Sequence, residues 1–569
     1  MVFRNRFLTK SVSLQGEKST ALDLARGRLV LISAFFILTY AIVMVRAFDL
    51  SIIQGVFSDA PLKSIAQYEQ PVDGPRRADI VDRNGILLAT TLEMVSLYAD
   101  PKMIHDKAAA ADALVNIFPA LSRDDLLKKM NSKRRFVWLN RNIMPHEQRE
   151  ILKIGEPGLL FEEGARRLYP HGNLAAHIVG YADTDDQGLA GLEREHSDAL
   201  NKGEVIRTTL DVRLQHALRR SVSTAITDFT AKAGTGVVMD VKTGEILAAV
   251  SLPDFDPHDA GNAPDRAKFN RLSLGVYELG SMFKIFSTAA LLDNHELPMG
   301  YRFDAREPIK VGRFTINDYH AEDRELTIPE VFMYSSNIGT AKMGEMIGTE
   351  GLKSFYADLG LLEPLDIDYP EVGKPIYPTP WREVNTLTAS YGHGIATSPL
   401  QLAVATSAIV NDGLYVRPKL VMNDEPQDDA ELRLISSKTA HKMQALMRLV
   451  VSDGTARKAE VPGYLVGGKT GTAEKAGAGG YHKKKLISSF VGAFPMDDPR
   501  YVVMVMVDEP KGNKQSYGYA TAGWVAAPAA ARVVSSIASI LNIDPVENVA
   551  AHDVAEALRV FVADKKGAR

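Results

Sequence analysis

The chain of 569 residues holds no cysteine. That excludes disulfides, thiolate catalysis and cysteine-ligated metals, and it leaves either redox compartment open. Neither sign of charge is in excess. Lys and Arg number 66 against 70 Asp and Glu, a net charge of -4, so no global field argues for nucleic acid as a partner. Histidine is scarce at 13 residues, and His171 and His177 are too isolated from carboxylates to suggest a metal site; both read as structural. From residue 47 onward no second apolar run is long enough to cross a bilayer. With 46% hydrophobic residues, the chain has material for two or three domains and a large core.

One long apolar run is present, and it locates the protein. "LVLISAFFILTYAIVMV", Leu29 to Val45, carries no charge over 17 residues and is bracketed by Arg28 and Arg46. At about 1.5 Å per residue it covers most of a ~30 Å hydrocarbon core, and arginine snorkelling supplies the rest. The leader is basic: Arg4, Arg6, Lys10, Lys18, Arg26 and Arg28 stand against Glu17 and Asp23. No A-x-A-type site follows, which argues against a cleaved signal peptide. The positive-inside rule then makes 1–28 a cytoplasmic leader and 29–49 a single-pass anchor, with everything beyond on the far side.

Beyond the anchor, "RRADIVDRNGILLATT" (76–91) reads as two strands about a turn at Asp82-Arg83-Asn84-Gly85. Residues 103–155 alternate charged and apolar positions at helical spacing, and 166–196 read as loop and short helix. A second unit opens with a helix at 208–226 and two apolar strands in 234–251, joined at Thr243-Gly244. Helical segments dominate from 281 to about 455. Strands follow at 463–475, 486–495 and 501–510, then a helix at 523–541. Strands at both ends with helices between predict one mixed α/β domain whose antiparallel sheet is built from both ends. "KAGAGGYHKKKL" (475–486) reads as a surface loop, and the tail after 543 as amphipathic at best.

The chemistry starts with a lysine out of place. In "GVYELGSMFKIFSTAALL" (275–292), Lys284 sits inside an apolar helical run, one turn after Ser281. At i and i+3 the two share a helix face. Gly280 marks the helix start, where free N–H groups favour developing negative charge. A lysine in apolar surroundings, or beside another cation, loses its proton more easily and can serve as the base that a serine nucleophile needs. Alone, the pattern reads equally as a capping serine and a snorkelling lysine. Ser335-Ser336-Asn337 is the only S-x-N, with a hydroxyl to relay protons and an amide to bind a carbonyl or orient the lysine. Lys469-Thr470-Gly471-Thr472 lies on a predicted strand. Its glycine lets a substrate backbone come close, while Lys and Thr side chains hold a carboxylate. Lys242-Thr243-Gly244 repeats K-T-G but precedes Ser281 at a hairpin, and reads as a turn.

The ordered set Ser281, Ser335, Lys469 resembles the penicillin-binding, serine acyl-transferase superfamily, over nearly everything after the anchor. "RRADIVDRNGILLATT" looks like the opening of the class B pedestal, and "RRLYPHGNLAAHIVGYADTDDQGLAGLE" like the pedestal of the division-specific branch. "YGHGIATSPLQLA" (391–403) and "GTARKAEVPGYLVGGKTGTAEK" (454–475) are similar to further class B blocks. The family often reads Y-E-P-G-S-T-F-K; here Leu279 and Met282 replace the Pro and Thr, and neither replaced side chain carries chemistry.

The resemblance implies a pedestal over 50–220, a serine β-lactamase-like transpeptidase domain over 221–545 with an antiparallel sheet flanked by helices, and a tail over 546–569. It implies a septal D,D-transpeptidase of the inner membrane, with its catalytic domain periplasmic and no cofactor or metal. Ser281 would attack the penultimate D-Ala carbonyl with neutral Lys284 as base. Ser335 would pass a proton to the leaving amine, and Asn337 would orient the donor peptide. Lys469, Thr470 and Thr472 would bind the terminal carboxylate, with Gly471 between them. Implied partners are peptidoglycan stem peptides, β-lactams held covalently, and an FtsW-type septal glycosyltransferase with other divisome proteins. An elongation-specific class B transpeptidase shares the catalytic set. A non-catalytic β-lactam-binding scaffold or sensor is the reading from outside enzymology.

Overall fold

The turn at Asp82 shows how this chain builds its corners. The buried Asp82 carboxylate accepts the backbone N–H groups of Asn84 (2.7 Å) and Ile86 (2.9 Å), closing the hairpin expected there. It also accepts the N–H of Val212 (3.2 Å), 130 residues away. The computed structural model describes residues 34–41, 44, 76–183, 186–312, 314–422, 432–477 and 480–563. From Pro75 onward the chain forms one compact unit.

The pedestal begins with β1 (Ile80–Val81) and β2 (Leu87–Ala99), followed by α1 (Lys107–Ile117), α2 (Arg123–Met130), β3 (Val137–Ile143), α3 (Pro145–Ile154) and β4 (Leu159–Leu168). A short β5 (Ile206–Arg207) pairs parallel with β1, giving the order β3-β2-β1-β5 with β4 also on β2. The helical reading of 103–155 holds for three helices and fails at β3. There "FVWL" is a short run of aromatic and branched apolar residues that suits a strand, and pairing with β2 overrides the charged neighbours. The outer lobe has its own core, including Leu97, Leu114, Met130 and Leu139.

The second unit starts at α4 (Val212–Asp228), whose helix runs through residue 220, and continues into β6 (Ala233–Asp240) and β7 (Ile246–Leu252). Between them lies the turn expected at Lys242-Thr243-Gly244, with the Asp240 side chain accepting from Lys242 and Thr243 N–H. The helical centre includes α5 (Lys284–Asn294), α6 (Ile328–Tyr334), α7 (Asn337–Ile347), α8 (Pro399–Val410) and α9 (Ser437–Ser452). Then come β8 (Gly467–Gly477), β9 (Gly480–Phe494), β10 (Tyr501–Asp508) and α10 (Ala526–Ile537). The sheet order is β8-β9-β10-β6-β7, antiparallel throughout. It is built from both ends of the segment, as the strand pattern predicts. Helices α4 and α10 pack on each other and on the sheet, and α8 packs on β6, β9 and β10. That cover explains why β6 and β7 are buried along their whole length.

The stretch 475–486 is not a plain loop: strand pairing continues through it, from Lys475 opposite His482 out to Gly477 opposite Gly480. The Lys475 ammonium is held by Asp508 (2.8 Å) and Glu509 (3.1 Å) where the register of the hairpin shifts between Glu474 and Lys475. His177 is structural, its ring nitrogen 2.8 Å from Ala267 O. Most of the expected anchor over 29–49 lies outside the described residues. Its described part, 34–41, is helical, and no described helix is long and apolar enough to cross a membrane.

One buried ion cluster ties the pedestal together. Glu193, fully buried, accepts Arg77 Nε through Oε2 and Arg167 Nε through Oε1, both at 2.7 Å. Arg77 also donates to Asn201 Oδ1 (2.8 Å), and Arg167 to Ala78 O (2.7 Å). Removing one member of such a cluster strands uncompensated charge. Glu193→Ala is therefore expected to destabilise the protein by about 3–5 kcal/mol, read as a lowered urea midpoint. An unchanged midpoint would contradict this role for the cluster.

Candidate active site

The serine turn is set by two glycines. Gly280, at φ +56°, starts a 3-10 turn over Gly280–Phe283 that runs directly into α5. Gly392, at φ +82°, lies against it: a Cβ there would stand 2.1 Å from Gly280 O. Side chains rarely adopt this backbone region, so the close approach admits no larger residue. Ser281 is partly exposed on this turn, while Lys284 one turn later is fully buried.

The S-x-N segment joins two helices by reversing the chain. Helix α6 ends at Ser335 in the left-handed conformation, φ 62° and ψ 42°. For a non-glycine residue this costs of order 1 kcal/mol or more, and such strain concentrates at functional sites. Ser336 then caps α7, its Oγ accepting the Gly339 N–H at 2.9 Å. Asp318, which no sequence pattern singles out, holds this corner. Its carboxylate accepts Asn337 N–H (2.5 Å), Ile338 N–H (2.9 Å) and the Ser336 hydroxyl (2.7 Å). A carboxylate at a helix N-terminus meets both the free donors and the positive end of the dipole.

These pieces converge on one hydroxyl. Lys284 Nζ lies 2.5 Å from Ser335 O, 2.8 Å from Asn337 Oδ1 and 3.1 Å from Ser335 Oγ. Lys469 Nζ donates to the same Ser335 Oγ at 2.9 Å. Both lysines are fully buried. Burial, and then the neighbouring Lys469, hold the Lys284 amine well below its ordinary value, and Asp318 opposes them. Burial brings Lys469 down to about 7.

The K-T-G strand reaches this cluster through Gly471. A Cβ at that position would stand 2.4 Å from Leu279 O and 2.9 Å from Met282 Cγ. The glycine was expected to admit a substrate backbone; the space is taken instead by the serine turn, packed on β8. Thr470 is nearly buried, its hydroxyl 2.9 Å from that of Thr455, a residue the motifs did not single out. Thr472 is exposed, and its Oγ1 accepts the Ala522 N–H at 3.0 Å. Gly280 borders this residue, since a Cβ on it would lie 3.3 Å from Thr472 O. A further contact closes one side: Tyr481 of the long hairpin donates to Glu278 Oε1 at 2.7 Å, with its ring centroid 4.9 Å from that of His393. No cluster of metal-ligating side chains is found among the described residues.

The family model for the penicillin-binding protein transpeptidase domain matches residues 234–534, more than half the chain. The chain belongs to this family. The model for the penicillin-binding protein dimerisation domain matches residues 72–206, as in the class B members. The chain is 41% identical to a protein of Caulobacter vibrioides named probable peptidoglycan D,D-transpeptidase FtsI, covering 84% of this chain and 83% of that one. It is 32% identical to the probable peptidoglycan D,D-transpeptidase PenA of Neisseria meningitidis, over 84% and 86% of the two chains. Among solved structures, penicillin-binding protein 3 of Mycobacterium tuberculosis, complexed with aztreonam, superposes with a TM-score of 0.67. That match has 25% identity and covers 83% of this chain and 97% of the other.

Buried amines make stability depend on pH in a defined direction. Unfolded lysines titrate near 10.4, whereas Lys469 titrates at about 7 in the fold. Between these values unfolding takes up a proton, so stability rises with pH. The parent is expected to gain on Lys469→Met by up to about 1.4 kcal/mol per pH unit from pH 7 to 9, measured by urea unfolding. A difference independent of pH would show that Lys469 is not held neutral by the fold.

Proposed function

We propose that this penicillin-binding protein is a septal peptidoglycan D,D-transpeptidase that works through a Ser281 acyl-enzyme. The observation that carries the reading is the convergence of Lys284 and Lys469 on Ser335 Oγ beside the Ser281 turn. The neutral Lys284 amine takes the Ser281 proton as Oγ attacks the penultimate D-Ala carbonyl. The oxyanion lies between the backbone N–H groups of Ser281 and Thr472, where aimed donors act without reorganisation. Ser335, bridging the two amines, hands the proton to the leaving D-Ala nitrogen. The amide of Asn337, steadied by donating to Asn317 O at 2.9 Å, orients Lys284 and the donor peptide. Lys469, Thr470 and Thr472 hold the terminal carboxylate. An amine of a neighbouring stem peptide then resolves the ester, and a β-lactam stalls at that point.

The same reading assigns the regions: a cytoplasmic leader over 1–28, an inner-membrane anchor over 29–49, a pedestal over 50–220, a periplasmic transpeptidase domain over 221–545 and a tail over 546–569. The matched family segments, 72–206 and 234–534, fall within the pedestal and the transpeptidase domain. The relative named FtsI supports a division role over an elongation role. An FtsW-type glycosyltransferase is the partner proposed for the anchor and pedestal.

The test is intact mass of the full chain in detergent after exposure to benzylpenicillin. One covalent adduct is expected on the parent and none on Ser281→Ala, while Lys284→Met acylates at least about a hundredfold more slowly, the scale of a lost general base. Depletion in the source cell is expected to give filaments. A folded parent without an adduct would end this reading and favour a non-catalytic scaffold.

A further inference from the structure

The segment after α10 carries no motif, yet it is bound to both halves of the site. It leaves the second unit at Val546, whose N–H donates to Gly463 O at 2.8 Å. It buries Ala555 fully and Leu558 almost fully in the main core. Three sets of polar contacts then fix its course. Asp553, nearly buried, accepts Arg559 Nη2 at 2.6 Å and faces Arg448 Nε at 3.4 Å. Arg559 Nε reaches Asp453 at 3.2 Å. Farther along, Phe561 O accepts the Thr327 hydroxyl at 2.8 Å, and Ala563 N–H donates to Glu330 Oε1 at 2.8 Å.

What these partners hold is the point. Thr327 and Glu330 form the capping box of α6, the two-turn helix that delivers Ser335 at its other end. Its Phe332 ring lies 6.0 Å from Lys469 Nζ. The buried Glu330 carboxylate is also fixed by Arg324 Nη2 at 2.9 Å, so the helix start is clamped from two sides. On the other half, Arg448 Nη1 donates to Val466 O at 2.8 Å, just ahead of the K-T-G strand, and pairs with Glu460. Asp453 stands two residues before Thr455, whose hydroxyl meets that of Thr470. One segment of about twenty residues thus grips the helix carrying Ser335 and the approach to the strand carrying Lys469.

We infer that residues 545–563 form a strap that positions Ser335 against Lys469, with Arg559 and Asp553 as its positioning residues. The inference rests on the proposed roles of Ser335 and Lys469. The strap touches neither substrate nor the reacting atoms; it adds polar contacts to two elements that also pack on α9 and meet at the Lys469–Ser335 hydrogen bond. Misplacing reacting groups by about 1 Å costs up to about a hundredfold in rate, so the effect belongs in the chemical step and not in ligand capture.

The experiment separates the acylation rate constant k2 for benzylpenicillin from its noncovalent constant K, on the full chain in detergent. Arg559→Met removes contacts of a partly exposed side chain and leaves the buried core intact; Asp553→Ala and Asp553→Glu complete the series. His552→Ala is the control, because His552 ties the same segment to Asp497 (3.1 Å) and to neither site element. Expected are a k2 lowered about tenfold or more in Arg559→Met and Asp553→Ala, the misplacement scale, with K unchanged. Asp553→Glu recovers most of the rate, and His552→Ala matches the parent. Should Asp553→Ala fail to fold, Arg559→Met decides. A folded Arg559→Met with the parent's k2, or a loss shared equally by His552→Ala, overturns the strap. A parent that does not acylate removes the proposed function itself, and is told apart by that.

Discussion

Two ammonium-type groups cannot both stay charged when they are buried against a single hydroxyl. That constraint governs the second unit of this protein. Lys284 and Lys469 approach Ser335 Oγ to 3.1 and 2.9 Å with no solvent access, and the desolvation cost is met by shedding a proton. The like charge adds to the effect at Lys284, and Asp318 tempers it. The surroundings favour the neutral amine of Lys284 over its ammonium. The opposite arrangement, carboxylates beside both lysines, would hold the amines charged.

The rest of the domain can be read as the scaffold that keeps this unfavourable group together. The serine turn is packed between Gly392 on one side and Gly471 on the other, both at distances that leave no room for a Cβ. The left-handed Ser335 is held by α6 before it and by the Asp318-capped α7 after it. Lys469 comes from the edge strand of a sheet in which β6 and β7 are buried along their whole length and β10 at all but its first residue, so its position is inherited from the stiffest part of the fold. Strain and desolvation are concentrated within a few residues, and a large apolar core offsets them.

The pedestal follows a different logic. Its sheet is small, and much of its order comes from buried polar groups. Glu193 stands between Arg77 and Arg167, and Asp82 gathers N–H groups from its own turn and from α4. Directional contacts of this kind fix geometry where burial alone would permit sliding. They also join the pedestal to the first helix of the catalytic unit, so the two share one continuous core that includes Ile80, Leu192 and Leu218.

The sequence alone determined the local elements and the order of the chemistry. Apolar runs and turn residues placed the 234–251 hairpin and the strand near 501–510. Of the ordered set Ser281, Ser335 and Lys469, the last two are side chains that the fold brings into hydrogen-bond contact. Local pattern misread 137–143 and 475–486, because charged or glycine-rich strands are recognisable only from the partner they pair with. Tertiary structure alone decided the rest. The Lys469–Ser335 contact spans 134 residues and the Lys284–Ser335 contact 51, and no local period encodes such distances. Asp318, Thr455 and the segment after 545 are ordinary residues in an ordinary context until folding sets them beside the site. The proton affinity of Lys284 belongs to the same class, since burial and a neighbouring charge exist only once the chain has closed around it.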